Sequence, residues 1–150
     1  MRDPQRESGP HRLDAVPILV VDDEQHLRDL IAQTLAEYQV ATACNGREAI
    51  ERLKRESFAL VITDLMMPCA DGFAVLDAAR NCDHPVQVLV LTGYPSAETK
   101  RRCLDLGCSG FISKPFDVGC LRAQVALCLQ CLRDDRPQSD DAGSPPASGR

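Results

Sequence analysis

Short apolar runs alternate strictly with helix-periodic segments, five times over, and this alternation constrains the fold more than any other feature. The strand-like runs are Ile18 to Val21, Val40 to Ala43, Phe58 to Thr63, Val86 to Leu91 and Gly110 to Ser113. Nearly continuous Val, Ile and Leu content is the pattern of strands buried on both faces. After the first run, Leu27, Leu30, Ile31, Thr34 and Leu35 recur at helical spacing. In the second helix, opened by Asn45-Gly46, Ala49, Ile50 and Leu53 form the inner stripe, with Arg47, Glu48, Glu51, Arg52 and Lys54 facing water. Gly72 starts a third helix with Phe73, Leu76 and Ala79 inward, broken by Asn81 to Pro85. Pro95 suits the first turn of a fourth, which Gly107 ends, and Phe116 to Arg133 carries a fifth. Alternation of this kind predicts an α/β fold, a parallel sheet covered by helices on both faces with right-handed crossovers.

The polar residues that close these runs carry the chemistry. Ile18-Leu19-Val20-Val21 ends in Asp22-Asp23, and Val61-Ile62-Thr63 ends in Asp64. Doubly wound sheets place their sites at the carboxyl ends of strands. If the two runs are neighbouring strands, the three carboxylates converge on one small volume. Two carboxylates about 4 Å apart repel by roughly 4 kcal/mol at an effective dielectric near 20, so three together demand a cation. Oxygen-only ligands with room for water suit Mg²⁺ or Mn²⁺ better than zinc. The fourth run ends in Thr92 and the fifth in Lys114-Pro115. A hydroxyl and an ammonium beside an acidic metal site are suited to holding phosphoryl oxygens.

With these residues in place the chain resembles the receiver domain of two-component response regulators. The resemblance rests on Asp22-Asp23, Asp64-Leu65-Met66-Met67-Pro68, Asp71-Gly72, Thr92-Gly93 and Lys114-Pro115-Phe116, each in order and most closing a strand. It implies a flavodoxin-like sheet with strand order 2-1-3-4-5. It also implies that Asp64 accepts a phosphoryl group from a histidine kinase or histidine phosphotransfer protein. Asp23 would then ligate Mg²⁺ directly, Asp22 through water, and Met66 through its backbone carbonyl, with Asp64 completing the set. Lys114 would pair with one phosphoryl oxygen and Thr92 with another. The implied Lys114-Pro115 bond is cis, turning the ammonium into the site. Gly93 leaves open the path of the donor histidine.

Two departures bear on output. The switch position falls on Phe111, which lacks the hydroxyl of a tyrosine. Met66 and Tyr94, both bulky, flank the line of water attack on an acyl phosphate and are expected to lengthen its life. In the fifth helix Val118, Leu121, Val125, Cys128, Leu129 and Leu132 form a stripe expected to face the sheet. Cys120, Leu127 and Cys131 form a second apolar stripe, with Gln124 and Gln130 toward solvent. That second stripe, near Phe111, is a candidate surface for a homodimer or protein partner, the alternative being that it packs against the fourth helix.

Composition excludes some rival classes. Net charge is −5, and no basic stripe or aromatic platform suggests nucleic acid. No apolar stretch approaches the roughly 18 residues of a membrane span, and Met1 to Pro10 is too charged for a secretory signal, so a cytoplasmic setting is expected. There the eight cysteines are expected as free, small packing residues. Cys128-Leu129-Gln130-Cys131 lacks a second pair, and His11, His26 and His84 show no ligand spacing and read as solvated surface, so no zinc site is expected. The expected organisation is a disordered extension over 1–16, a receiver domain over 17–133 and a disordered tail over 134–150. The tail is too short for an output domain, so the chain reads as a single-domain regulator or a fragment of a longer one. The expected role is a signalling module and not an enzyme. The alternatives are a phosphorylation-independent interaction module, against which the intact acid, Thr and Lys set argues, and an aspartyl-phosphate phosphatase. The phosphatase would commonly carry a second acid at the position of Met66.

Overall fold

The computed structural model describes residues 16–67, 71–93 and 95–134. Its elements run β1 (Pro17–Val21), α1 (Gln25–Thr34), β2 (Gln39–Ala43), α2 (Gly46–Arg55), β3 (Leu60–Asp64), α3 (Gly72–Arg80), β4 (Gln87–Thr92), α4 (Ala97–Asp105), β5 (Gly110–Ser113) and α5 (Val118–Asp134). The five strands form one parallel sheet in the order β2-β1-β3-β4-β5. This is the doubly wound, flavodoxin-like order. Residues 1–15 and 135–150, and with them most of the two expected disordered ends, lie outside the described residues.

Strand pleating divides the core into two layers. Leu19, Val21, Val61, Val88 and Val90 point to one face, where they meet Ala49 and Leu53 of α2, Val75, Leu76 and Ala79 of α3, and Cys103 of α4. Ile18, Val20, Leu60, Ile62, Leu89 and Leu91 point to the other, against Ile31 of α1 and Leu121, Val125 and Cys128 of α5. Both faces of the inner strands are therefore dry, as their apolar runs require.

Helix starts follow local capping chemistry. The side chains of Asn45, Asp71 and Ser96 accept from the backbone N–H of Glu48, Ala74 and Thr99, respectively. Asp117 does the same for Cys120 at 3.1 Å. Each cap satisfies an N–H that the helix itself leaves unpaired. Pro95 thus lies outside α4, because Ser96 takes the cap and Ala97 begins the helix. At the other end Gly107 has φ +92°, and the N–H groups of Gly107 and Cys108 bond the carbonyls of Leu104 and Cys103. This is a Schellman closure, and its left-handed residue favours glycine.

Several expected packing positions differ. Val118 and Leu30 are exposed, since Val118 is the first residue of α5 and precedes the turn that reaches the sheet. Gln124 is half-buried, whereas Leu129 is only half-buried on the inner stripe. Cys103, Cys108 and Cys128 are buried as packing residues, but Cys44 and Cys120 are exposed. His26 is exposed, whereas the Nε2 atom of His84 is buried and has no hydrogen-bond partner among the described residues. His11 and Cys69, and the side chains of Cys131 and Leu132, lie outside what is described.

Candidate functional site

The register of the sheet assembles the polar strand ends. Val21 pairs Thr63, Asp64 pairs Leu91, and Thr92 pairs Ser113. Asp22 therefore follows β1 beside the end of β3, and Lys114 follows β5 beside Thr92. Carboxylate oxygens of Asp22, Asp23 and Asp64 all lie within 4.8 Å of one another. Asp22 and Asp64 are buried, whereas Asp23 is exposed at the rim.

Lys114 bridges the two buried acids. Its Nζ donates to Asp64 Oδ2 at 2.7 Å and to Asp22 Oδ2 at 3.0 Å. The Lys114-Pro115 bond is cis, as the resemblance implied. Each acid keeps its other oxygen engaged with backbone: Asp22 Oδ1 accepts from Glu24 N at 2.8 Å and Asp64 Oδ1 from Met66 N at 3.2 Å. Burial raises the Asp22 pKa above its usual range, against the opposing pull of the Glu24 N–H and the Lys114 ammonium. Burial alone would lower the Lys114 pKa, but its bonds to Asp64 and Asp22 and their charges outweigh this and hold it above its ordinary value. One ammonium thus compensates two buried acids only in part.

The donor set fits a hard divalent cation. It holds three carboxylates, with no thiolate or imidazole among the grouped residues. Thr92 is buried beside it, with 1% of its surface exposed. Met66 follows Asp64 by two residues and its side chain is 62% exposed, against a hollow of about 480 Å³ shared with Leu65, Met67 and Asp71. A second hollow of about 480 Å³ lies at the opposite pole of the sheet, between Leu53, Lys54, Cys82 and His84 among others. Glu56 and Asp83 also line it, but among the described residues the carboxylates that group closely enough to share a cation are Asp22, Asp23 and Asp64 at the carboxyl edge.

Gly72 makes the third strand end possible. A Cβ there would lie 2.3 Å from the Asp64 carbonyl oxygen and 2.7 Å from Leu65 Cα. The start of α3 thus packs directly on the backbone of the proposed acceptor. At Gly93 a Cβ would meet nothing within 4 Å. Phe111 is half-buried, packs on the α2–α3–α4 side of the core, and has the Lys100 ammonium 5.9 Å from its ring centroid. Tyr94 lies outside the described residues.

Arg28 and Glu24 also contact the first acid of the pair. Arg28 Nη1 donates to the Asp22 carbonyl at 2.7 Å. The only sequence signal for it is a cation on the first turns of the helix that follows the acid pair.

A five-stranded doubly wound sheet carries three acids and a lysine at its carboxyl edge. The family model described as the response regulator receiver domain matches residues 18–126, and the chain belongs to that family. Among curated relatives it is 35% identical over 118 residues to the probable transcriptional regulator ycf27 of Cyanidium caldarium, covering 77% of this chain and 47% of the relative. It is 36% identical over 126 residues to the response regulator protein PilR of Pseudomonas aeruginosa, covering 83% and 28%. The chain therefore spans about half the length, or less, of these relatives. Among solved structures, a CheY-like receiver domain protein from Methanospirillum hungatei JF-1 superposes with a TM-score of 0.76 at 25% identity, covering 81% of this chain and 99% of that one. The signal receiver domain of a Vibrio parahaemolyticus LuxO-type repressor gives 0.76 at 28% identity, covering 81% and 95%. No helix among the described residues is long and apolar enough to cross a membrane.

Proposed function

We propose that the chain is a phosphoacceptor receiver that takes a phosphoryl group on Asp64 from a phosphohistidine of a histidine kinase or histidine phosphotransfer protein. The observation that carries this reading is the Lys114 ammonium shared between Asp22 and Asp64. Such a cation pairs directly with the Asp64 carboxyl group at a buried strand end, where it can steady an oxygen for attack on phosphorus. An Asp64 oxygen forms the new bond to phosphorus while the donor's phosphorus–nitrogen bond breaks and its imidazole keeps the electron pair. Asp22, Asp23, Asp64 and the Met66 carbonyl would hold Mg²⁺, or Mn²⁺ in its place. The cation, when bound, offsets the charge of the phosphoryl oxygens. Lys114 takes one of those oxygens and the Thr92 hydroxyl another.

Output in this reading starts at Thr92. Its movement toward the phosphoryl group opens space for the Phe111 ring, and the face of α4, β5 and α5 changes shape. The exposure of Leu127, at 56%, and of Cys120 supports reading these two positions of the second stripe of α5 as available to a partner. A second copy or a protein partner would bind there. The domain would turn over no substrate except its own phosphoryl group.

The test is incubation of the full chain with acetyl phosphate and Mg²⁺. Labelling that stops at one phosphoryl per chain supports the receiver. Continuous phosphate release at enzyme rates would mean a phosphatase, and no labelling would mean an interaction module.

A further inference from the structure

We infer that Arg28 is a positioning residue for Asp23, an inference that rests on the reading of Asp23 as a direct Mg²⁺ ligand. Asp23 sits in the turn between β1 and α1 and is exposed, so the two peptide groups that flank it bear directly on its aim. The carbonyl of the Asp22–Asp23 peptide is held by Arg28 Nη1 at 2.7 Å. The N–H of the Asp23–Glu24 peptide is held by Asp22 Oδ1 at 2.8 Å. With both planes fixed, the direction of the Asp23 Cα–Cβ bond is fixed between them.

The Asp22 carbonyl is the first in β1's path to leave the ladder: Asp22 N still bonds Ala43 O at 3.2 Å, but the strand ends at Val21. A partner from α1 is therefore needed, or water takes it. Arg28 is half-buried and its bond spans the turn, closing it over six residues. A charge-assisted donor of this kind holds geometry better than a water. Outer groups that orient metal ligands typically change affinity by about 10- to 100-fold when removed.

Charge and position predict opposite signs, which makes the inference testable. Arg28 brings a positive charge toward a cation site, so on electrostatic grounds alone its removal tightens Mg²⁺ binding. If it positions Asp23, removal weakens binding. The measurement is calorimetric titration of the full chain with Mg²⁺ for wild type, Arg28→Gln and Arg28→Lys. It is paired with the Mg²⁺ dependence of labelling by acetyl phosphate. The expected result is a dissociation constant about tenfold weaker in Arg28→Gln, at the low end of that range because the contact is to backbone. Arg28→Lys, which keeps a charged donor, should recover part of the loss. The Mg²⁺ concentration for half-maximal labelling should rise, with the plateau rate at saturating Mg²⁺ within about twofold of wild type. Unchanged or tighter binding in Arg28→Gln would overturn the inference, as would a lowered plateau with unchanged half-saturation. Failure of wild type to bind Mg²⁺ at all would instead remove the functional reading on which it rests.

Discussion

Lys114 Nζ lies 2.7 Å from Asp64 Oδ2, across a sequence separation of 50 residues. The same ammonium reaches Asp22 Oδ2, so it occupies oxygens that a metal cation would also seek. In the proposed reading Lys114 and Mg²⁺ would therefore compete in part before phosphorylation and act together after it.

Replacement of Lys114 by Met should accordingly separate binding from chemistry. Two unit charges about 4 Å apart interact by about 1 kcal/mol even at the dielectric of water, so the variant should bind Mg²⁺ at least about fivefold more tightly. Labelling at saturating Mg²⁺ should be strongly slowed, because an oxygen of the incoming group loses its partner. Calorimetry and a labelling time course on the same sample check both halves. Weaker Mg²⁺ binding in Lys114→Met would refute the competition.

The two glycines near the site should behave oppositely. Gly72→Ala forces a Cβ onto the Asp64 carbonyl and the Leu65 backbone. Overpacking typically costs about 1–3 kcal/mol, and rigid backbone neighbours place this case near about 3 kcal/mol. Gly93→Ala meets nothing, and its smaller unfolded-state entropy should leave stability unchanged or raised by about 0.4–1 kcal/mol. Urea unfolding of the two variants beside wild type gives the comparison.

Met66 should slow loss of the phosphoryl group by standing over the acceptor's open side. Its side chain is largely exposed beside Asp64, so Met66→Asn should not disturb the core. A several-fold faster dephosphorylation in that variant, followed after removal of the phosphodonor, is the expected outcome. An unchanged time course would mean that the thioether shields nothing.

Leu127→Asp probes the output face. At 56% exposure the change should alter stability by no more than about 0.5 kcal/mol and leave labelling of Asp64 intact. Phosphorylation-dependent association, followed by light scattering with and without phosphodonor, should weaken. If the phosphorylated variant associates as wild type does, the surface lies elsewhere.

Much of this architecture was legible because it depends on burial. Both faces of β1, β3 and β4 are covered, so their apolar runs stood out, and the residues at their ends are Asp22, Asp23, Asp64 and Thr92, whereas Lys114 follows the less buried β5 and was marked by its Lys-Pro pair. Boundaries were less legible, since they are decided by single hydrogen bonds. Asp64 counts as strand because its backbone still pairs Leu91, and Ser96 displaces Pro95 from α4 through one hydroxyl cap. Val118 fits the inner stripe by periodicity, yet Asp117 starts the helix too close to it for the sheet to be reached. Arg28 and the reason for Gly72 were not legible. Each acts on backbone atoms brought near only by the folded turn, and no periodicity encodes such a contact.

The most direct test of the central claim is intact-mass and peptide-level mass spectrometry after exposure to acetyl phosphate and Mg²⁺. Wild type should gain one phosphoryl group, mapped to Asp64. Asp64→Asn, nearly isosteric and still folded by circular dichroism, should gain none. A phosphoryl group on the Asp64→Asn chain, or a wild-type label mapped to another residue, would contradict the account.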